Sequence, residues 1–310
     1  MEQREASAIM IFETAMADAY AAAWEFVKPQ DALTDDWSGY RQRPDGRGAN
    51  RSLYTDDTLR MIANARVILA GQAGDALAYV REIKRVFRED KRGGWSSRFR
   101  AFLESQQDLS DYEWFGSLHP RNTNGALMGA AVMGVLPSAE AARAAGELQA
   151  LITHDEEAAR WAGVISLASF LVHQGAGPDT IIPRLERKVR TMSGFPHAGL
   201  MRAARSADAR AVPVDMTAFR TCAHVIDVLS TQRTMRGIIS EVIRRGGDTD
   251  SVAAAAVGIA SRNPAAYEND LPDWMMTDLE NGDPAAHALL RDLDARLDAF
   301  TRGDAPCLTI

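Results

Sequence analysis

The chain has 310 residues, 46% hydrophobic and 25% charged, with a formal net charge of −7; it can bury a large core, and its acidity argues against general nucleic-acid binding, which needs a basic footprint. Its two cysteines, Cys222 and Cys307, are too few and too far apart for a disulfide framework or a thiolate metal site, so a reducing, cytoplasmic setting is expected. Residues 1–5 lack the basic start and apolar core of a signal peptide, and no apolar stretch is long enough to span a bilayer, so no membrane partner is expected.

Along the chain, apolar residues recur three and four apart, as in the run from Leu59 to Leu69, while alternating β-branched runs are scarce. Helices are expected over 5–28, 56–71, 74–88, 95–106, 124–136, 138–151, 155–175, 178–192, 216–229, 232–245, 249–262 and 283–301. Glycine and proline gather around Gly39 to Gly48 and at Gly93-Gly94, which read as loops, not as a linker. The fold class is therefore all-α, a compact orthogonal helical bundle forming one domain over 1–310. Small or apolar residues surround the helix from Val252 to Ala260 on every side, which makes it the expected central pillar.

Two acidic runs lie just before helices: Tyr54-Thr55-Asp56-Asp57-Thr58 and Gly246-Gly247-Asp248-Thr249-Asp250-Ser251. Either run alone is accounted for by helix N-capping. Together, Asp56, Asp57, Asp248 and Asp250 supply four carboxylates, and Thr55 and Ser251 two hydroxyls, the all-oxygen set that Mg²⁺ and Mn²⁺ prefer. In the first helix, Asp18 and Glu25 are seven residues apart, two turns along one face, and both could point toward such ions; a structural role for Asp18, satisfying loop N–H groups, is the competing reading. None of the six histidines forms a zinc-type cluster, so His119, His173, His197, His224 and His287 read as structural.

With Ala17-Asp18-Ala19 and Glu25, Thr55 to Thr58, Asn124-Gly125-Ala126-Leu127-Met128, Thr153-His154, Gly246 to Ser251 and Leu271-Pro272-Asp273-Trp274 in this order, the chain resembles the ADP-ribosylglycohydrolase family over roughly residues 8 to 300. That resemblance implies a compact all-α enzyme that uses two divalent cations, Mg²⁺ or Mn²⁺, to hydrolyse the glycosidic bond of an ADP-ribosylated protein or small molecule, arginine-linked ADP-ribose being the first substrate to expect. It implies metal ligation by Thr55, Asp56, Asp57, Asp248, Asp250 and Ser251, proton transfer by Asp56, Asp57 or Glu25, and substrate contacts from Gly94, Ser97, Asn124, Gly125 and His154. For Asn124 and Gly125 a cap and a close-packing residue remain open, and for His154 a structural role.

The chain departs from the family pattern at Ala17 and Ala21, where glycines are usual, at Gly129, where an arginine follows the methionine, and at Ser251, usually threonine. Serine keeps the hydroxyl; the other changes bear on substrate fit. A non-catalytic binding or structural protein on the same fold is the alternative, and a different metal-held phosphoryl or N-glycosyl substrate is a third reading. The sequence carries no signal for an oligomeric state.

Overall fold

The computed structural model describes residues 10–27, 36–42, 52–105, 121–191 and 215–304. His119, His197, Cys307 and the loop beyond residue 42 lie outside the described residues, as do residues 5–9 of the first expected helix. The α-helices run α1 Met10–Ala21, α2 Asp56–Leu69, α3 Ala76–Glu89, α4 Ser97–Glu104, α5 Ala139–Leu151, α6 Glu156–His173, α7 Ile181–Arg190, α8 Ala218–Thr231, α9 Met235–Arg245, α10 Thr249–Ala260, α11 Asp273–Asp278 and α12 Pro284–Arg302. Among the described residues there is no strand, and a lone bridge joins Thr234 to Glu268.

Side-chain caps set many of the helix starts. Asp75, Ser138, Asp155, Thr217, Thr234 and Asp283 each accept a hydrogen bond from a first-turn N–H, which satisfies donors that the helix itself cannot. α10 is the pillar: every residue from 249 to 260 is buried, and it packs against α1, α2, α6, α8 and α9. Its alanines let those neighbours approach closely.

Two expected helices come out differently, and one helix was not expected. The first gives way at Ala22–Trp24 to a 3₁₀ turn, and Phe26 has φ +55°, so the chain turns away after Trp24. Residues 124–136 form two 3₁₀ segments, Asn124–Ala126 and Ala130–Val135, broken at Gly129 with φ +70°. A side chain at Gly129 would place its Cβ 2.8 Å from the carbonyl carbon of Arg60, so the arginine usual there in the family has neither the backbone angle nor the space. The short helix α11, missed by periodicity, carries Trp274, whose Nε1 donates to the Trp37 carbonyl at 3.1 Å. Trp37 in turn stacks on Tyr20 of α1, with ring centroids 4.6 Å apart.

At the far end of α1, Asp294 of α12 accepts from the N–H groups of Ile11 and Phe12 at 2.8 and 3.1 Å. Burial raises the Asp294 carboxyl to about 7, against the pull of those two N–H groups. Nearby, Glu13 is pushed up to about 8 by burial and then by Asp294, with the Asn269 amide opposing at 2.5 Å. Its Oε2 has no partner among the described residues, which suits a protonated carboxyl. The unfolded chain ionises Glu13 near 4.5, whereas the native protein holds the proton up to about 8. Native stability therefore falls as pH rises across that window and levels off above it. Glu13→Gln is expected to flatten this slope and to leave the variant more stable than wild type above pH 8, by on the order of 2–4 kcal/mol. Urea unfolding at pH 5 and pH 8.5 measures it; an unchanged slope would show that Glu13 is ionised in the native state.

Candidate metal centre and substrate cleft

Asp18 builds the first wall of the site. Its carboxylate accepts four hydrogen bonds, from the Thr55 N–H at 2.9 Å and hydroxyl at 2.8 Å and from the Thr58 N–H at 3.1 Å and hydroxyl at 2.6 Å. It is committed to holding the first turn of α2 and does not face the cleft. The two-turn periodicity linking it to Glu25 fails because α1 does not continue, yet the 3₁₀ turn still delivers Glu25 to the cleft.

α2 begins with Thr55 as N-cap, so Asp56 and Asp57 fall in its first turn with their carboxylates free of capping duty. Across the cleft, Asp248 occupies the N-cap position of α10 but makes no capping bond. Its Oδ2 instead accepts from Asn124 Nδ2 at 2.8 Å. Ser251 donates to Asp57 Oδ2 at 3.1 Å, which joins the two acidic runs across 194 residues of sequence. Carboxylate oxygens of Glu25, Asp248 and Asp250 come within 4.8 Å of one another.

These groups line one end of a cleft of about 690 Å³, a size that suits a nucleotide-scale ligand. Burial, then Asp18, raises the Asp56 carboxyl to about 8. Asp57 is pushed up by burial and then by Asp18, Asp56 and Asp248, and Asp250 by burial and then by Glu25 and Asp248. Such a set of ligand-poor buried carboxylates is unfavourable until positive charge compensates it. The donors are all oxygen, the preference of hard divalent cations, and the residues present fit such ions.

The loop before α4 borders the cleft. Gly94, at φ +110°, lies so close to Asp56 that a Cβ there would sit 1.8 Å from Asp56 Oδ1. A half-buried ion-pair network fixes the loop: Arg92 donates to Glu280 at 2.7 and 2.8 Å, to Asp90 and to the Tyr54 carbonyl, and stacks 3.8 Å from the Tyr54 ring centroid. Ser97, expected to touch substrate, is exposed and does not line the cleft: it is the first residue of α4, which starts at 97 and not at the expected 95, and Ser96 just before it lines the cleft instead. Asn124, Gly125 and His154 do line it. Both His154 ring nitrogens meet threonine hydroxyls, Thr123 at 3.0 Å and Thr153 at 2.7 Å. Burial, then Arg60, holds its pKa down to about 3, so the ring is neutral.

A sequence model of the family described as ADP-ribosylglycohydrolase matches residues 10–302. The chain belongs to the ADP-ribosylglycohydrolase family. A solved structure titled "ADP-ribosylglycohydrolase-related protein complex" superposes with a TM-score of 0.70 at 18% identity, covering 98% of this chain and 100% of that one, which shows the shared fold. A search of curated proteins returns no match. As an ADP-ribosylglycohydrolase the protein is a glycosidic-bond hydrolase acting on ADP-ribosylated substrates, in a family generally dependent on divalent metal. No helix among the described residues is long and apolar enough to cross a membrane.

Cleft residues that the sequence reading passed over are Arg60, Arg121, Thr123 and Met216. For Arg60 a signal existed: it lies four residues after Asp56, on the same helix face, so it must enter any cleft that Asp56 enters.

Proposed function

We propose that this ADP-ribosylglycohydrolase releases ADP-ribose from arginine on protein, with two Mg²⁺ or Mn²⁺ ions held by Asp56, Asp57, Asp248 and Asp250 and by the hydroxyls of Thr55 and Ser251. The observation that carries the reading is Asp248: at a position where Asp75, Asp155 and Asp283 cap their helices, it turns its carboxylate to the cleft instead. Glu25, close to Asp248 and Asp250, joins that ligand end.

When bound, the ions would hold ribose hydroxyls and a water and make that water more acidic. The chain's own residues do the rest. Asp57 Oδ2, oriented by the Ser251 hydroxyl at 3.1 Å, is placed to accept the water's proton as positive charge develops on the sugar ring. Asp56 is the neighbouring candidate base, and Glu25, half-buried at the mouth, the proton's route to solvent. Asn124 fixes the orientation of Asp248, and the Gly94 loop closes over Asp56 and limits water there.

The test is release of free ADP-ribose from arginine-, serine- and nucleotide-linked conjugates with Mg²⁺, with Mn²⁺ and with chelator. Chelator-sensitive release from the arginine conjugate is the expected result. Release confined to another linkage would replace the acceptor, and cation and ADP-ribose binding without any release would make the chain a binding protein on the same fold.

A further inference from the structure

The other buried arginines among the described residues, and the half-buried Arg92, have partners. Arg245 pairs with Asp227 at 2.6 Å and Glu241 at 2.9 Å, Arg92 with Glu280 and Asp90, and Arg262 meets His173 at 3.1 Å. Arg60 is only 6% exposed and lines the cleft, yet it makes no hydrogen bond or ion pair among the described residues. Its guanidinium lies 5.3 Å from the Phe99 ring centroid, which supports one face and leaves the N–H edge without an acceptor. Asp56 and Asp57, one turn earlier on α2, attract the guanidinium electrostatically, but neither accepts a hydrogen bond from it.

The surroundings of Arg60 define what it would take. The backbone of Gly125 lies against the His154 ring, which is neutral and has both nitrogens engaged, and Arg121 lines the same cleft. The described carboxylates of the cleft, Glu25, Asp56, Asp57, Asp248 and Asp250, belong to the metal end. The cleft thus carries an acidic set and, one helical turn along α2, a buried guanidinium with no hydrogen-bond acceptor among the described residues. A substrate carrying a sugar diol and a neighbouring anion matches both.

We infer that Arg60 is a specificity-determining residue that binds the diphosphate of the ADP-ribosyl group, on the wall formed by α2, Phe99, Gly125 and His154. This rests on the proposed ADP-ribosyl substrate. A planar guanidinium donates two parallel bonds to phosphate oxygens, so it fixes the register of the diphosphate and thereby the distance from it to the ribose at the metal end.

The experiment is calorimetric titration of ADP-ribose, ADP and adenosine into Mg²⁺-loaded wild type, Arg60→Met and Arg60→Lys, with Mg²⁺ binding measured separately for each. Arg60→Met should weaken ADP-ribose and ADP about 30-fold, leaving adenosine and Mg²⁺ unchanged, and Arg60→Lys should recover part of the loss. Equal ADP-ribose affinity in Arg60→Met and wild type would overturn the inference. So would a parallel loss of Mg²⁺ binding or of the folded state in both variants, which would assign Arg60 to the scaffold. If wild type binds ADP in an Arg60-dependent way but not ADP-ribose, the anion site stands and the ADP-ribosyl substrate falls. Binding of neither by wild type would remove both.

Discussion

Replacing Asp57 by asparagine is expected to lower kcat for ADP-ribose release roughly 1,000-fold, the scale of losing a positioned base, while leaving the protein folded. The side chain keeps its size and its hydrogen bond with Ser251. What disappears is one negative charge from a buried set that already repels itself, as the upward displacement of Asp57 by burial, Asp18, Asp56 and Asp248 shows. The metal-free variant should therefore melt at or above the wild-type temperature, and the stabilisation gained on adding Mg²⁺ should shrink. A melting series with and without cation, run beside single-turnover assays, reads all three effects. Full activity in Asp57→Asn would assign proton transfer and ligation elsewhere in the cluster.

Gly94→Ala is the second large effect, and it comes from geometry alone. The added methyl would lie 1.8 Å from Asp56 Oδ1 on a backbone at φ +110° that side chains avoid. Either Asp56 rotates or the loop retreats, and Arg92, held on Glu280 and Asp90, resists the retreat. Misplacing a reacting group by about 1 Å costs on the order of 100-fold, so kcat/KM should fall by about that factor. The backbone conformation itself adds about 1–3 kcal/mol of destabilisation, visible in urea unfolding. Gly93→Ala is the matched control, because a Cβ there meets nothing within 4 Å. Wild-type kcat/KM in Gly94→Ala would mean that the pose of Asp56 is irrelevant to turnover.

Much of this arrangement was legible in the sequence. Helical periodicity gives the all-α class, and the Ala-rich run from Val252 to Ala260 marks the pillar because nothing in it suits a solvated face. The meeting of the two acidic runs was readable for a physical reason: carboxylates at the start of so buried a helix are costly unless positive charge compensates them. Other features were not. The break at Gly129 depends on the carbonyl of Arg60, a contact between segments that no local pattern records. Asp18 and Glu25 share a helix face in an unbroken helix, but α1 ends between them, at Ala21. Ser97 opens α4, which starts two residues after the expected 95, and that boundary is set by packing that no local pattern records. Arg60 shares the Asp56 face of α2, a signal the spacing offers, but its near-complete burial and its lack of an acceptor come only from the fold. The Arg92–Glu280 pair spans 188 residues, beyond the reach of any spacing argument.

The bond from Asp294 to the first N–H groups of α1 reaches across 283 residues, and its consequence is one of timing. During synthesis, α1 waits for its cap until residue 294 has left the ribosome, and Asp57 waits until residue 251 has done so. Contacts of such separation close late and slowly. A chain stopped before residue 248 would carry Asp56 and Asp57 without the aspartates and the serine that meet them in the fold.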